Sequence, residues 1–389
     1  MWALTGLAIL IAGASVVNSD LKASVDTESL SQSSRFHEGK FLNEHEFEQP
    51  GFVKTLHIFK RFFTEAAPDK FPVHSLPVQA VTRAQLDALT NDDIHLIKLG
   101  HSSVLMKVLG EYWLFDPVFS ERASPFSFLG PKRFHQTPIS IDELPPIARV
   151  LISHNHYDHL DKTSVQKLAS KTGEFFVPLG VDKDLQRWGI DAAVMTTFDW
   201  WQEWQTGETL VAFTPTQHFS GRGLGDSNNT LWGSWVVRTP AGAVYFSGDS
   251  GYFTGFKDIG NKYGPFDITF IETGAYDADW PSVHMTPEES VTAHQDLQGK
   301  MMIPIHNGTF SLAFHTWYDP LERVSSAALQ SDVTLLAPQF GQPLSLSGLA
   351  EQVAAMPVNN SSWWRELMPA AVLAKNLAAT AEPQTTAQP

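Results

Sequence analysis

The segment 151–161, with the sequence LISHNHYDHLD, constrains this chain more than any other stretch. It places His154, His156, Asp158 and His159 within six residues. Imidazole and carboxylate groups are ligands of divalent transition metals, and proteins have few other uses for such a cluster. The spacing therefore favours a metal site over a polar surface loop that carries scattered histidines.

The backbone around this segment favours two metals over one. The apolar run 148–152 predicts a buried strand, so the four side chains stand at a strand end. In extended backbone alternate side chains share a face, which would put His154, His156 and Asp158 on one side and His159 apart. Ligands offset in this way suit two adjacent metal ions.

Composition narrows the class of protein. With 389 residues, 43% apolar and 18% charged, the chain is long enough for one large domain or two ordinary domains with a real core. A formal net charge of −15 argues against nucleic acid as a partner and against purely electrostatic docking on anionic lipid. Because the chain has no cysteine, disulfides are excluded and any metal must be bound by histidine and carboxylate.

Changes along the chain divide it into four regions. Residues 2–17 are almost wholly apolar with no charge before Asp20, so we predict a signal peptide or membrane anchor over residues 1–20. This implies a periplasmic or membrane-anchored protein, with a cytoplasmic location as the alternative. We predict an N-terminal extension packed on the core over residues 21–90, the main domain over 91–348, and a C-terminal helix with a disordered tail over 349–389.

Hydrophobic patterning predicts a series of short strands and several helices. The predicted strands are 94–99, 103–109, 112–116, 148–152, 174–178, 192–198, 208–214, 232–239, 243–247, 267–272 and 301–305. Helices are predicted near 52–63, 82–89, 162–171 and 182–188. Another should run from Thr286 to about 298, because Thr286-Pro-Glu-Glu289 supplies an N-cap, a proline and acid in the first turn.

Two further stretches leave alternatives open. The long loop 117–138 is either a surface cover or a wall that faces the substrate. Trp200, Trp201 and Trp204 lie close together in sequence. Packing in the core is favoured for them over the lining of a lipid or acyl pocket.

Three later residues extend the metal cluster, because His218, Asp249 and His306 each follow a predicted strand. Strands of one sheet that end at the same edge bring distant residues together, so we expect all seven side chains to converge there. Seven ligands are too many for one tetrahedral zinc and fit two. Asp249 is the isolated carboxylate among the later ligands and is therefore the predicted bridge.

These residues carry a resemblance to a known family. The run His154-x-His156-x-Asp158-His159, with the later three ligands, resembles the metallo-β-lactamase fold, a four-layer αββα sandwich of the α/β class. Over residues 93–346 the chain is similar, within that superfamily, to the N-acyl-phosphatidylethanolamine-hydrolysing phospholipase D family and its bacterial relatives. The supporting segments are LGHSSVL at 99–105, DPVFSERASP at 116–125, GPKRFH at 130–135, DWW at 199–201, HMTPEE at 284–289 and HNGTF at 306–310.

The resemblance implies two zinc sites and a bridge, although another divalent transition metal could replace zinc. One zinc would be held by His154, His156 and His218, the other by Asp158, His159 and His306, and Asp249 would bridge them. His284 would lie beside the phosphoryl group of the substrate. The implied catalytic residues are Asp158, Asp249 and His284.

The function implied is a zinc-dependent phosphodiesterase of phospholipase D type. It would hydrolyse the headgroup phosphodiester of a phospholipid such as N-acyl-phosphatidylethanolamine through a metal-bridging hydroxide. The same ligands would serve a hydrolase of this fold that acts on a lactone, ester or amide, and a third alternative is an exported or anchored metal-binding protein without turnover. The expected partners are a phospholipid or other small-molecule substrate and, through the N-terminal apolar segment, a membrane; nucleic acid is not expected, and the oligomeric state is left open.

Overall fold

From His95 onwards this protein consists of short strands and helices, as the hydrophobic patterning predicts. The computed structural model describes residues 30, 32–45, 51–65, 68–223, 225–349, 351 and 360–373. In chain order the strands are β1 (Phe36–His37), β2 (Lys40–Phe41), β3 (His95–Gly100), β4 (Ser103–Val108), β5 (Glu111–Phe115), β6 (Ile147–Leu151), β7 (Thr172–Pro178), β8 (Met195–Phe198), β9 (Glu203–Thr206), β10 (Thr209–Thr214), β11 (Ser234–Thr239), β12 (Gly242–Phe246), β13 (Phe266–Glu272), β14 (Gly299–Ile305) and β15 (Pro343–Ser345).

The strands β3 to β15 form two mixed sheets. The first sheet has the order β15-β3-β4-β5-β6-β7-β8, and the second has the order β14-β13-β12-β11-β10-β9. Pairing is parallel from β5 to β8 and from β12 to β14, and antiparallel elsewhere. Because β10 and β12 both pair antiparallel with β11, they run in the same direction, and β10, β12, β13 and β14 end at the same edge of the second sheet.

The helices are α1 (Phe52–Thr64), α2 (Arg83–Asp87), α3 (Lys162–Leu168), α4 (Val181–Arg187), α5 (Gly255–Tyr263), α6 (Pro287–Asp296) and α7 (Asp319–Gln330). The predicted cap of α6 is confirmed, because the Thr286 hydroxyl accepts from the Glu289 amide and the Glu289 carboxylate accepts from the Thr286 amide. Within the described residues, none of these helices combines the length and apolar content that crossing a bilayer requires.

Both sheets are apolar on both faces, which explains the layering. Along β5, Trp113 and Phe115 pack in the cluster between the two sheets, whereas Tyr112 and Leu114 pack in a second cluster with residues of α3 and α4. Helices α5, α6 and α7 cover the outer face of the second sheet in a third cluster. The four layers follow the order helix, sheet, sheet, helix, and the predicted αββα fold class is confirmed.

The closely spaced tryptophans belong mainly to the core. Trp200 is 7% exposed, and its indole Nε1 donates to the carbonyl of Trp232 at 2.6 Å. Trp201 stacks on the ring of Tyr263, with centroids 6.5 Å apart. The packing alternative is therefore confirmed for these two residues.

Several elements differ from the predicted ones. The strand predicted at 192–198 is shorter, because Ala192–Val194 form a 3₁₀ turn capped by the side chain of Asp191. Strand β9 has the sequence EWQT, which is mostly exposed and has no apolar alternation to reveal it. The prediction also omits β15, α5 and α7, although α5 buries residues at helical spacing, among them Phe256, Ile259 and Tyr263.

The chain beyond the sandwich is described in part. A 3₁₀ segment, Asn360–Leu367, stands where the C-terminal helix is predicted, and its Trp363 and Trp364 pack in a cluster with Trp317 and Leu321. The signal peptide or anchor predicted over 1–20 and the tail from 374 lie outside the described residues. The boundaries at residues 90 and 348 stay predictions.

Replacing Phe246 by alanine tests the inter-sheet core. Phe246 is fully buried and stacks on Phe115 of the facing sheet, with ring centroids 5.0 Å apart. Losing the ring leaves a cavity, so we expect the free energy of unfolding to fall by about 3–5 kcal/mol in chemical denaturation. The control Leu329→Ala, at a side chain that is 82% exposed, should change it by less than about 0.5 kcal/mol. Equal effects of the two substitutions would contradict the described packing.

Candidate metal centre

The predicted ligands meet at one end of the sandwich, between the two sheets. The segment with His154 and His159 follows β6 of the first sheet, whereas His218, Asp249 and His306 follow β10, β12 and β14 of the second. The expectation that all these strands belong to one sheet is therefore wrong. Their ends coincide because the two sheets are stacked face to face with these ends together.

Three imidazoles and one carboxylate form the first group. His154 Nε2 lies 2.9 Å from His156 Nδ1, and His156 Nδ1 lies 3.3 Å from His218 Nε2. Asp249 completes the group, and the four candidate ligand atoms all lie within 4.8 Å of one another. All these side chains are buried except that of His156, which is partly exposed.

The second group gathers around Asp158. Its Oδ2 lies 3.1 Å from His306 Nε2, 3.6 Å from His159 Nε2 and 3.0 Å from His101 Nε2. The prediction that Asp158 shares a face with His154 and His156 is wrong, because the backbone turns after His156, whose carbonyl accepts from the amides of His159 and Leu160. This turn directs Asp158 and His159 towards the second group.

Asp249 connects the two groups. Its Oδ2 lies 3.1 Å from the Nε2 atoms of His159 and His306, and 3.8 Å from the Nε2 atoms of His154 and His218. One carboxylate oxygen is thus surrounded by imidazole nitrogens from both groups. This is the position that a bridging ligand would occupy.

The donor set fits divalent metal ions. Ligand nitrogens about 2.0–2.1 Å from a tetrahedral zinc are roughly 3.3 Å apart, close to the separations in the first group. Asp249 Oδ1 is buried and has no hydrogen-bond partner among the residues described, which is costly unless another group satisfies it. Nitrogen and carboxylate oxygen, without cysteine, suit zinc and other first-row divalent ions.

The electrostatics of the two groups differ. Burial lowers the pKa of His154 well below its ordinary value and that of His156 to about 4, so these rings are neutral and offer lone pairs at neutral pH. Burial also acts to lower the pKa of His306, but the charges of Asp249 and Asp158 outweigh it and raise that pKa to about 10. The second group therefore attracts positive charge, as a metal site does.

Buried hydrogen bonds to Nδ1 orient the imidazole rings of His154 and His159, on the side of each ring that faces away from the site. Asp116 accepts from His159 Nδ1 at 2.7 Å, and it also accepts from the amide and the hydroxyl of Ser153 at 2.7 and 2.6 Å. The Ser153 hydroxyl in turn accepts from His154 Nδ1 at 2.9 Å. These bonds fix the tautomers in which Nε2 of each ring faces the site. Burial raises the pKa of Asp116, which the hydrogen bonds oppose.

His218 is oriented by the backbone of a neighbouring loop. Its Nδ1 donates to the carbonyl of Val283 at 2.9 Å, which leaves Nε2 for the site. The loop comes this close because residue 251 is a glycine. A Cβ on Gly251 would lie 2.0 Å from the carbonyl oxygen of Ser282.

His284 lies beside the ligands and is paired with a residue that the sequence analysis missed. Its Nδ1 donates to the Glu272 carboxylate, and its ring centroid is 5.1 Å from that of His218 and 5.4 Å from that of His306. Glu272 is fully buried, and burial raises its pKa. With Asp249 and His306, the pair forms a third group of candidate ligand atoms within 4.8 Å.

Three further polar residues of the site could have been found from the predicted strands. Glu272 is the last residue of β13, and Asp116 and His101 directly follow β5 and β3. They thus stand at strand ends, like the predicted ligands. The rule that a polar residue at a strand end faces the site could have included all three.

Comparison with known proteins agrees with this geometry. The family profile of the Beta-lactamase superfamily domain matches residues 112–307, about half of the chain. The chain belongs to the metallo-β-lactamase superfamily. The resemblance inferred from the motifs is thereby confirmed at the level of the family and the fold, and the chain is a metal-dependent hydrolase by descent.

The similar relatives include both uncharacterized proteins and named enzymes. A protein of Mycobacterium tuberculosis called uncharacterized is 42% identical over 270 residues, which cover 68% of this chain and 70% of that protein. The N-acyl-phosphatidylethanolamine-hydrolyzing phospholipase D 1 of Caenorhabditis elegans is 34% identical over 288 residues, covering 69% and 80%. The structure of Igni18, a metallo hydrolase from Ignicoccus hospitalis, matches with a TM-score of 0.51 and 19% identity over 65% of this chain and 97% of that one, which supports the fold alone.

A cavity of about 590 Å³ adjoins the metal loop. It is lined by residues 120–122 and 124–127 of the long loop, by Trp188 at the end of α4 and by Tyr157, which stands between two candidate ligands in sequence. None of the seven predicted ligands lines it. Solvent reaches the metal centre at the side chains of Asp158 and His284, each of which is 14% exposed.

Metal analysis of purified variants tests the two groups. We expect the zinc-loaded protein to contain two metal ions per chain, and His218→Ala and His306→Ala each to retain about one, because each removes a ligand from one group. Elemental analysis after gel filtration measures the ratio. His57→Ala, at an exposed histidine, is the matched control. One ion in the unsubstituted protein, or two in both ligand variants, would refute the assignment.

Proposed function

We propose that this hydrolase is a zinc-dependent phosphodiesterase of phospholipase D type, which cleaves the headgroup phosphodiester of a phospholipid such as an N-acylated phosphatidylethanolamine. The proposal of hydrolysis rests on one observation: Asp249 Oδ2 lies among four imidazole nitrogens that belong to two ligand groups. The substrate class is supported by the similarity to the C. elegans phospholipase over 69% of the chain.

The proposed ligands divide between two zinc ions. His154, His156 and His218 would hold one, Asp158, His159 and His306 the other, and Asp249 would bridge. When bound, such ions supply positive charge to phosphoryl oxygens and lower the pKa of a coordinated water towards ~7. The residues behind them keep the imidazole rings in place, since Asp116 and Ser153 hold two rings through Nδ1.

His284 is the residue that donates a proton to the leaving group. Its Nδ1 is engaged by Glu272, so Nε2 is the ring nitrogen available to the substrate. In the protonated ring, Nε2 can donate a hydrogen bond to the departing oxygen and give up its proton as the bond to phosphorus breaks. We therefore propose His284 as the catalytic residue that touches the substrate opposite the attacking water.

The cavity beside Tyr157 supports a substrate larger than a simple ester. Its lining combines aromatic side chains, among them Phe126 and Trp188, with four cationic and four acidic side chains: Arg122, Lys162, Arg187, Arg222, Glu121, Asp161, Asp184 and Asp226. Such a lining suits a molecule that has both an apolar part and charged or polar groups. The loop 117–138 contributes residues to it, which favours the substrate-facing alternative for this loop. Trp200 and Trp201 pack elsewhere and give no support to a lipid pocket.

A lactone, ester or amide is the second candidate class of substrate. The ligand groups and His284 would serve attack on a carbonyl carbon as well as on phosphorus, because both reactions need an activated water and a proton for the leaving group. Location, membrane association and the absence of a nucleic-acid partner stay predictions from the sequence.

Parallel assays of the zinc-loaded protein distinguish these classes. We expect hydrolysis of N-acyl-phosphatidylethanolamine in mixed micelles with a higher kcat/KM than that of bis(p-nitrophenyl) phosphate or of an acyl lactone. Mass spectrometry of the products should show phosphatidic acid and the N-acylethanolamine. A higher kcat/KM for the lactone would overturn the proposal in favour of the second class.

Asp249→Asn tests the proposed bridge. An amide is neutral and a weaker ligand, so we expect kcat/KM to fall by more than the roughly 10- to 100-fold that loss of an outer hydrogen-bond partner of a metal site costs. The exposed Asp142→Asn should keep full activity. If Asp249→Asn folded, as judged by its circular dichroism and Tm, and kept the unsubstituted rate, the proposed bridge would be wrong.

A further inference from the structure

We propose that Glu272 is a positioning residue that fixes the tautomer and orientation of His284, so that Nε2 of this ring meets the leaving group of the substrate. The inference rests on the proposed function for its chemistry, but the pairing itself can be tested without any substrate. Neither the ligand motif nor the implied roles of the family resemblance include Glu272.

Glu272 is built into the core at the end of β13. Its side chain is fully buried, and both carboxylate oxygens are engaged: Oε2 accepts from the amide of Ser250 at 2.7 Å, and Oε1 accepts from His284 Nδ1. The Glu272 amide donates to the Ser247 hydroxyl at 2.9 Å, and the Glu272 carbonyl accepts from the Ser290 hydroxyl at 2.6 Å. Hydrogen bonds thus hold both the carboxylate and the backbone of Glu272, which makes it a rigid acceptor for His284.

The loop that carries His284 is fixed on both sides of this residue. The Ser282 carbonyl accepts from Gln217 Nε2 at 3.0 Å, and the amide of Met285 donates to the Ser250 carbonyl at 3.1 Å. Backbone contacts settle the position of the loop but leave the ring free to rotate about its side-chain bonds. The bond to Glu272 removes that freedom. Among the described residues, it leaves Nε2 as the unpaired nitrogen of a ring that lies beside the rings of His218 and His306.

This pairing matches what proton donation requires. A carboxylate at Nδ1 favours the tautomer with the proton on Nδ1 and stabilises the ring when Nε2 is also protonated. As the bond between phosphorus and the leaving oxygen breaks, the electron pair stays on that oxygen and the Nε2 proton moves to it. The attacking water forms the new bond to phosphorus and releases one proton to solvent, from which Nε2 is protonated again.

The alternative use of Glu272 is as a ligand of a further metal ion with His284. The two oxygens of Glu272 are already engaged, which favours the positioning role. Metal content decides between the two: Glu272→Gln should keep the two ions of the unsubstituted protein. Loss of an ion in this variant would overturn the positioning role.

The kinetic test compares leaving groups. Glu272→Gln keeps the size of the side chain and one acceptor oxygen, so we expect a folded protein with little change in KM. We expect kcat for N-acyl-phosphatidylethanolamine, whose alkoxide leaving group needs a proton, to fall about 10- to 100-fold. For bis(p-nitrophenyl) phosphate, whose leaving group needs none, the fall should be smaller than about 3-fold. An equal fall for both substrates would overturn the proposal.

Two further variants complete the kinetic test. In a His284→Gln background, Glu272→Gln should cause no additional fall, because the two residues act as one unit. Glu288→Gln replaces an exposed carboxylate that pairs with Arg323, and it should leave both rates unchanged. Full additivity of the two substitutions in the double variant would contradict a role of Glu272 through His284.

A spectroscopic test is independent of activity. In the zinc-loaded protein labelled with ¹⁵N-histidine, a proton resonance on Nδ1, shifted downfield by its bond to a carboxylate, should be present and should disappear in His284→Gln. We expect Glu272→Gln to move it upfield. If it is absent from the unsubstituted protein, or unchanged in Glu272→Gln, Glu272 does not position His284. Failure of every phosphodiester assay with this resonance intact would instead count against the proposed function alone.

Discussion

The crowding of imidazole nitrogens and carboxylate oxygens in a buried space is the constraint on which this structure depends. The Nε2 atoms of four histidines lie within 3.8 Å of one oxygen of Asp249, away from water. Burial lowers the pKa of His154 and His218, so these two rings are neutral and direct lone pairs at the Asp249 carboxylate, which is destabilising unless positive charge lies between them. The site therefore stores unfavourable electrostatics that bound cations would relieve, and metal binding should be linked to the stability of the fold.

The backbone at the strand ends keeps the ligand side chains from moving apart. Three residues of the site, His101, Asp116 and His306, have positive φ angles of 52°, 39° and 61°, which are uncommon for residues other than glycine. Each directly follows a strand of the sandwich, where parallel and antiparallel pairing fixes the backbone up to the turn. Apolar packing on both faces of each sheet stabilises the fold enough to keep these turns in their uncommon backbone conformations. Hydrogen bonds to Nδ1 then set the direction of the imidazole rings that they hold.

The sequence predicts the parts of this site that are local. The run from His154 to His159 is visible as a motif, and strand ends could be located from hydrophobic patterning, so the later ligands were candidates too. The sequence does not reveal that the ligands come from two different sheets, since stacking is a property of the tertiary structure. The strand-end positions of Asp116 and Glu272 could have been read from the sequence, but their roles could not, because their partners are 43 and 12 residues away and a lone carboxylate carries no motif.

The position of Asp249 between two metal ions can be measured by anomalous diffraction from crystals of the zinc-loaded protein, collected on both sides of the zinc edge. We expect two peaks roughly 3.5–4 Å apart, with the Asp249 carboxylate in contact with both. A single peak, or two peaks of which one lies out of reach of Asp249, would contradict it.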